Sequence, residues 1–175
     1  MDITDFSPDS ILHTKTHDAL SKQQQKRLHT IAEYYRLGSS RTGICALFTG
    51  RNRAAKTSAV KALARQLSLP LLGVTVPALV SKYIGETEKN LNALFSRAEG
   101  SETILLFDEA DALFGKRSEV NDTHDRNDNI DIYFLLARLE NFIGIAVIAT
   151  GYSPELNDTI TRRCKYVLDF PLSVV

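Results

Sequence analysis

Five short apolar runs, at residues 44–49, 69–76, 103–108, 145–150 and 166–170, alternate with stretches whose apolar residues recur at helical spacing. The runs are apolar almost throughout, so each strand must be covered on both faces. That pattern belongs to a mostly parallel sheet between two helical layers. Val60, Leu63, Ala64 and Leu67 form one helical stripe, and Leu91, Leu94, Phe95 and Ala98 form a second. A third comprises Ile132, Leu135, Leu136, Leu139, Phe142 and Ile143, and the three end at Pro70, Gly100 and Gly144. Upstream, Leu28, Ile31, Ala32 and Tyr35 predict a helix over 19–37, stopped by Gly38. Residues 1–18 show no periodicity and read as a flexible lead-in. The chain thus divides into a lead-in and helix over 1–40 and an α/β core, a three-layer sandwich, over 41–175.

The first loop of that core reads GRNRAAKT, residues 50–57. A phosphate-binding loop G-x-x-x-x-G-K-[ST] needs Gly50, Lys56 and Thr57, and a strand before it and a helix after it, all of which are here. The chemistry wants backbone N–H groups converging on phosphate at a helix N-terminus, where the helix dipole also favours negative charge. Gly50, Arg51, Asn52, Arg53, Ala54, Ala55, Lys56, Thr57 and Ser58 are the candidate ATP-binding residues. Lys56 would reach the outer phosphates, and the Thr57 hydroxyl would hold Mg2+. Ala55 stands where the motif has glycine. At negative φ it adds only a methyl, whereas at positive φ the strain is about 1 kcal/mol. Arg53 has two readings, crowding a nucleotide or contacting its phosphates. Taken alone, KTSAVKALA also reads as a helix start carrying an incidental lysine.

Residues 104–111, ILLFDEAD, run a buried strand into two adjacent carboxylates. Such a pair is costly unless something cationic meets it, and ligands of open α/β sheets bind at that end of the strands. Asp108 can hold Mg2+ through its water shell, and Glu109 can polarise the water that attacks the γ-phosphate. The alternative is structural, with Asp108 capping a helix that begins at Glu109.

Other classes find less support. Twenty-one basic and twenty-one acidic residues cancel, which disfavours nucleic acid and anionic membranes as main partners. Cys45 and Cys164 have no metal-ligand spacing and suggest no zinc site or disulfide framework. The acidic start MDITDFSPDS is no signal peptide, no apolar run approaches membrane-spanning length, and a cytoplasmic location follows. Residues 115–129, GKRSEVNDTHDRNDN, read as a long exposed loop. Its D-x-N-x-N lacks the glycine and glutamate of a calcium loop.

SKYIGETEKNL at 81–91 and DEADALFGKRSEV at 108–120 resemble the AAA ATPase family over residues 47–171, in particular a bacterial group carrying both strings. The resemblance implies a P-loop NTPase core with a five-stranded parallel sheet of order 5-1-4-3-2. It also implies assembly into a ring, ATP held between neighbouring subunits, and hydrolysis to ADP and phosphate coupled to remodelling or threading of protein. Tyr83, Ile84 and Gly85 match the aromatic–hydrophobic–glycine pore loop that grips a polypeptide, although Tyr83 packed on the sheet is the plainer alternative. Arg162 and Arg163 match the paired positions that supply an arginine finger to the next subunit, with Arg163 preferred.

The chain departs from the family at Arg53 and Ala55, and at Gly151, which replaces a polar residue that helps position the attacking water. The sequence stops at Val175, and the family's small helical lid has no counterpart within it. Weak nucleotide binding and weak ring formation are therefore expected. A degenerate, non-hydrolysing scaffold subunit is the competing reading. A nucleic-acid motor is disfavoured by the charge balance and by the protein-threading type of pore loop.

Overall fold

The computed structural model describes residues 3–6, 20–38, 43–81, 83, 85–99, 102–113, 125–151 and 158–172. Among these residues six strands form one sheet: β1 (Ile3–Phe6), β2 (Ile44–Thr49), β3 (Leu71–Thr75), β4 (Ile104–Asp108), β5 (Ile145–Ala149) and β6 (Tyr166–Asp169). Their order is β1-β3-β4-β5-β2-β6. The last five are parallel, with Ile44 beside Ile145, Ala46 beside Tyr166, Leu71 beside Ile104 and Leu105 beside Ala146. The expected parallel order is therefore observed. β1 was not foreseen. It pairs antiparallel with β3, Ile3 opposite Val74, so at least these four residues of the lead-in are ordered. The residues between β1 and Leu20 lie outside the described set.

Among the described residues six α-helices flank the sheet: α1 (Lys22–Arg36), α2 (Arg53–Leu67), α3 (Val76–Leu79), α4 (Glu86–Glu99), α5 (Asp125–Asn141) and α6 (Asp158–Thr161). α1 begins at a capping box in which the Ser21 hydroxyl accepts from the Gln24 amide and the Gln24 side chain accepts from the Ser21 amide. α2 ends at Ser68, whose left-handed φ of 56° turns the chain toward Pro70. α5 starts at Asp125, so the loop expected over 115–129 is helical in its last residues. Residues 115–124 lie outside the described set.

Continuous apolar strands require cover on both faces, and two cores provide it. Ile44, Ala46, Phe48, Ile104, Leu106, Ile145 and Val147 meet α1 and α2 through Leu28, Ile31, Val60 and Leu63. Leu47, Leu72, Val74, Leu105, Phe107 and Ile148 meet α4 and α5 through Leu91, Phe95, Leu135 and Leu139. Each of the larger side chains, Ala46 excepted, contributes about 1.5–3 kcal/mol on burial. Phe142 closes the second core, with its ring 5.4 Å from that of Phe95. Ile143, read from its spacing as part of that stripe, is instead 65% exposed. The helix has ended at Asn141, so the 3.6-residue period no longer governs where Ile143 points.

α1 does more than lead in. Gln24 Nε2 donates to the Asp169 carbonyl at 2.7 Å, and Arg27 donates to the Val167 carbonyl at 3.2 Å. These bonds fasten α1 against the outer edge of β6 and occupy carbonyls that an open edge would present.

Candidate functional site

The C-terminal ends of β2, β4, β5 and β6 bring the chemistry-bearing residues together. Gly50 leaves β2 at φ 99°, a conformation that favours glycine. The turn after it is short, because Asn52 caps α2 and the helix begins at Arg53. Ala55 lies within this helix and is absent from the positive-φ residues. Of the two readings of Ala55 the unstrained one holds, and its methyl joins the first core.

The loop amides have partners inside the chain. Asn52 N–H donates to the Phe170 carbonyl, Arg53 N–H to Arg51, and Lys56 N–H to Asn52. The Ala55 amide donates to Asn52 Oδ1 at 3.0 Å. A phosphate would displace that side-chain cap, which contributes about 1 kcal/mol.

Lys56 is 4% exposed. Its Nζ donates to the Gly50 carbonyl at 2.7 Å and the Thr150 carbonyl at 2.6 Å. Burial pulls its pKa below the usual lysine value, while Asp111 and Asp108 act in the opposite sense. A buried ammonium without acceptors would cost several kcal/mol, and these carbonyls meet that need. The lysine thus ties the loop to the end of β5. The Thr57 hydroxyl donates to the Arg53 carbonyl at 3.1 Å, one turn back in its own helix.

The guanidinium of Arg53 stands on both carboxylates of the Asp108–Glu109 pair, with Nε 3.1 Å from Asp108 Oδ2 and an Nη 2.5 Å from Glu109 Oε1. Of the two readings of Arg53, crowding fits this arrangement. The cation that the carboxylate pair calls for is here supplied by the protein itself. Asp108 Oδ1 also accepts from the Glu109 amide at 2.9 Å, and a 3-10 turn follows at Ala110–Leu113. Glu109 has a φ of 56°, a left-handed backbone that costs a non-glycine residue on the order of 1 kcal/mol. The donor set nevertheless suits Mg2+ and a triphosphate: a hydroxyl, two carboxylates and a lysine converge at a helix N-terminus. Arg53 is the group that would have to leave.

Asp111, not among the candidates marked by the motifs, also belongs to the site. Its Oδ1 accepts from the Thr150 hydroxyl at 2.5 Å and the Gly151 amide at 2.7 Å, so it holds the end of β5 next to Lys56. The third acid of DEAD was the available signal. An added Cβ on Gly151 would lie 3.6 Å from both Asp111 oxygens, an ordinary contact. Gly151→Asn is therefore expected to fold normally, with a melting temperature within about 2 °C of the parent. A thermal melt checks this, and a larger loss would show that the site had closed over the missing side chain.

The remaining candidates lie apart from this cluster or outside the described residues. Tyr83 is 63% exposed, not packed into the sheet, and Gly85 has a φ of 79° just before α4. Ile84 lies outside the described residues. Arg162 and Arg163 are exposed in the turn after α6, where Arg163 Nε contacts Glu140 of α5 at 2.7 Å. Among the described residues no helix is long and apolar enough to cross a membrane, and no group of three or more His, Cys, Asp or Glu side chains is placed to hold a metal ion by itself.

A family model described as "ATPase family associated with various cellular activities (AAA)" matches residues 46–172. Among curated proteins, the peroxisomal ATPase PEX6 of Penicillium chrysogenum is 34% identical over 158 residues, 86% of this chain and 11% of that protein. The uncharacterized AAA family ATPase y4kL of Sinorhizobium fredii is 32% identical over 124 residues, 71% of this chain and 38% of that protein. The chain therefore spans well under half the length of these relatives. Among solved structures, the FIGL-1 AAA domain in complex with ADP aligns with a TM-score of 0.68 at 23% identity, covering 88% of this chain and 54% of that one. At that identity the likeness is one of fold.

Proposed function

The chain belongs to the AAA ATPase family, and from that premise we propose that it is an ATP-binding, ATP-hydrolysing module of a protein-remodelling ring whose site is held closed by its own Arg53. The convergence of Lys56, Thr57, Asp108 and Glu109 at the C-terminal ends of β2 and β4 carries this reading. Thr57 and Asp108 would hold Mg2+, which supplies charge neutralisation for the phosphates. Lys56 would exchange its two carbonyl partners for phosphate oxygens. Glu109 would orient a water and take up its proton. In the ring, Tyr83, Ile84 and Gly85 would face a threaded polypeptide, and Arg163, with Arg162 beside it, would reach a neighbour's nucleotide. PEX6 is itself an ATPase by name, which fits this reading.

The Arg53 ion pairs favour a second reading, a scaffold subunit that does not hydrolyse ATP. Arg53→Ala separates the two. Each ion pair made by an arginine side chain 58% exposed contributes about 0.2–1 kcal/mol after solvent screening. Freeing the carboxylates should thus tighten Mg2+–ATP binding about 3- to 10-fold in calorimetry, at a small loss of thermal stability. Tighter binding with measurable turnover supports the enzyme, and tighter binding without turnover supports the scaffold. Absence of binding in both proteins would end the nucleotide reading.

A further inference from the structure

Cys45 and Cys164 are separated by 119 residues in sequence, yet their Sγ atoms lie 2.7 Å apart. Parallel pairing of β2 with β6 brings them together. Ala46 is in register with Tyr166, and the Lys165 amide donates to the Cys45 carbonyl at 2.9 Å. Cys164, two residues before β6 begins, is thereby placed one residue back from the point where the chain meets Cys45. The Cys164 amide donates to the Ile160 carbonyl of α6 at 3.0 Å, which fixes its approach from the other side. Both thiols are free, Cys164 buried and Cys45 partly exposed. The gap between the sulfurs exceeds a disulfide bond by less than about 1 Å.

We infer that Cys45 and Cys164 are a dithiol modification site that closes to an intramolecular disulfide under oxidising conditions. The bond would staple the turn bearing Arg162 and Arg163 to strand β2. With glutathione disulfide as oxidant, the thiolate of Cys45, the more exposed partner, attacks one sulfur of the reagent and releases one glutathione. The thiolate of Cys164 then attacks Cys45 Sγ, forming the Sγ–Sγ bond and releasing the second glutathione. Two protein thiols are oxidised and one reagent disulfide is reduced, and the two thiol protons end on the two glutathiones.

The hydrogen-bonding contact with the Cys164 thiol, and after it burial, push the Cys45 thiol above its ordinary pKa, so the uncatalysed first step is slow at neutral pH. The second step is intramolecular and fast by comparison. A mixed disulfide with glutathione should therefore not accumulate in the intact pair. The staple closes a loop long enough to raise thermal stability substantially, because loop-closure entropy is removed from the unfolded chain.

The test treats the full chain with glutathione disulfide, quenches with acid, and reads intact mass, free thiols after denaturation and cross-linked peptides. The expected product is monomeric, lighter by two hydrogens, without free thiols, and has one peptide pair joining Cys45 to Cys164. Its melting temperature should rise by about 5–10 °C and return on reduction. Cys164→Ala should instead stop at the Cys45–glutathione adduct with no rise. Wild-type protein that keeps both thiols, accumulates the glutathione adduct or cross-links only between chains overturns the proposal. The wild-type readout requires no variant to fold.

Discussion

Gly50→Ala is expected to lower the melting temperature by about 10 °C, measured by calorimetry or by circular dichroism against temperature. A Cβ on Gly50 would lie 2.3 Å from the Phe170 carbonyl oxygen, 2.6 Å from its carbon and 2.9 Å from Asp169 Oδ1. Two of these atoms are backbone and cannot swing aside. That carbonyl also accepts the Asn52 amide, and the Phe170 amide donates to Thr49 at 2.8 Å, so any shift breaks the seam where β2 ends beside β6. The φ of 99° adds strain of its own. Overlap and strain together come to about 3–4 kcal/mol. Gly38→Ala is the internal control: its φ is 62°, but nothing lies within 4 Å of an added Cβ. It should lose only about 1 kcal/mol. If Gly50→Ala melts no lower than Gly38→Ala, the close approach to Phe170 is wrong.

The parallel sheet was legible because four of its five strands, β2 to β5, are buried at all but at most one position, Ile145–Ala149 at every one. Continuous apolar runs signal this directly. β1 left no such trace, because it is a four-residue edge strand, too short for a periodic pattern, that pairs with β3. The site was legible as residue types and not as partners. GRNRAAKT announced a lysine and a hydroxyl at a helix start, yet nothing local said that Arg53 would reach 55 residues forward to Asp108. Nor did it say that the Lys56 ammonium would meet the Thr150 carbonyl, 94 residues away. Those pairings depend on strand order, as does the approach of Cys45 to Cys164. Ala55 shows the converse. Glycine is dispensable there because α2 starts early, and the cap that makes this possible, Asn52, lies within the loop itself.

Glu109→Gln should reduce ATP turnover by at least about 100-fold, equivalent to about 2.7 kcal/mol of transition-state stabilisation. The amide keeps the shape of the side chain and loses the ability to take a proton. Binding should respond differently. The carboxylate is half of the Arg53 clamp, at 2.5 Å from the guanidinium, and glutamine cannot form that ion pair. Arg53 then keeps only its 3.1 Å contact to Asp108, and the negative charge repelling a triphosphate falls by one. Mg2+–ATP affinity should therefore stay level or rise while turnover disappears, a split that isothermal calorimetry and a phosphate-release assay read on the same preparation. If affinity and turnover fall together, Glu109 acts mainly as a structural residue, consistent with the strained φ of 56° that it holds beside the 3-10 turn. If turnover survives the change within about threefold, less than 1 kcal/mol, proton transfer by Glu109 is excluded. Retained binding with no turnover in the parent chain would leave the scaffold reading, with Arg53 then serving as the resident cation of a site that no longer hydrolyses ATP.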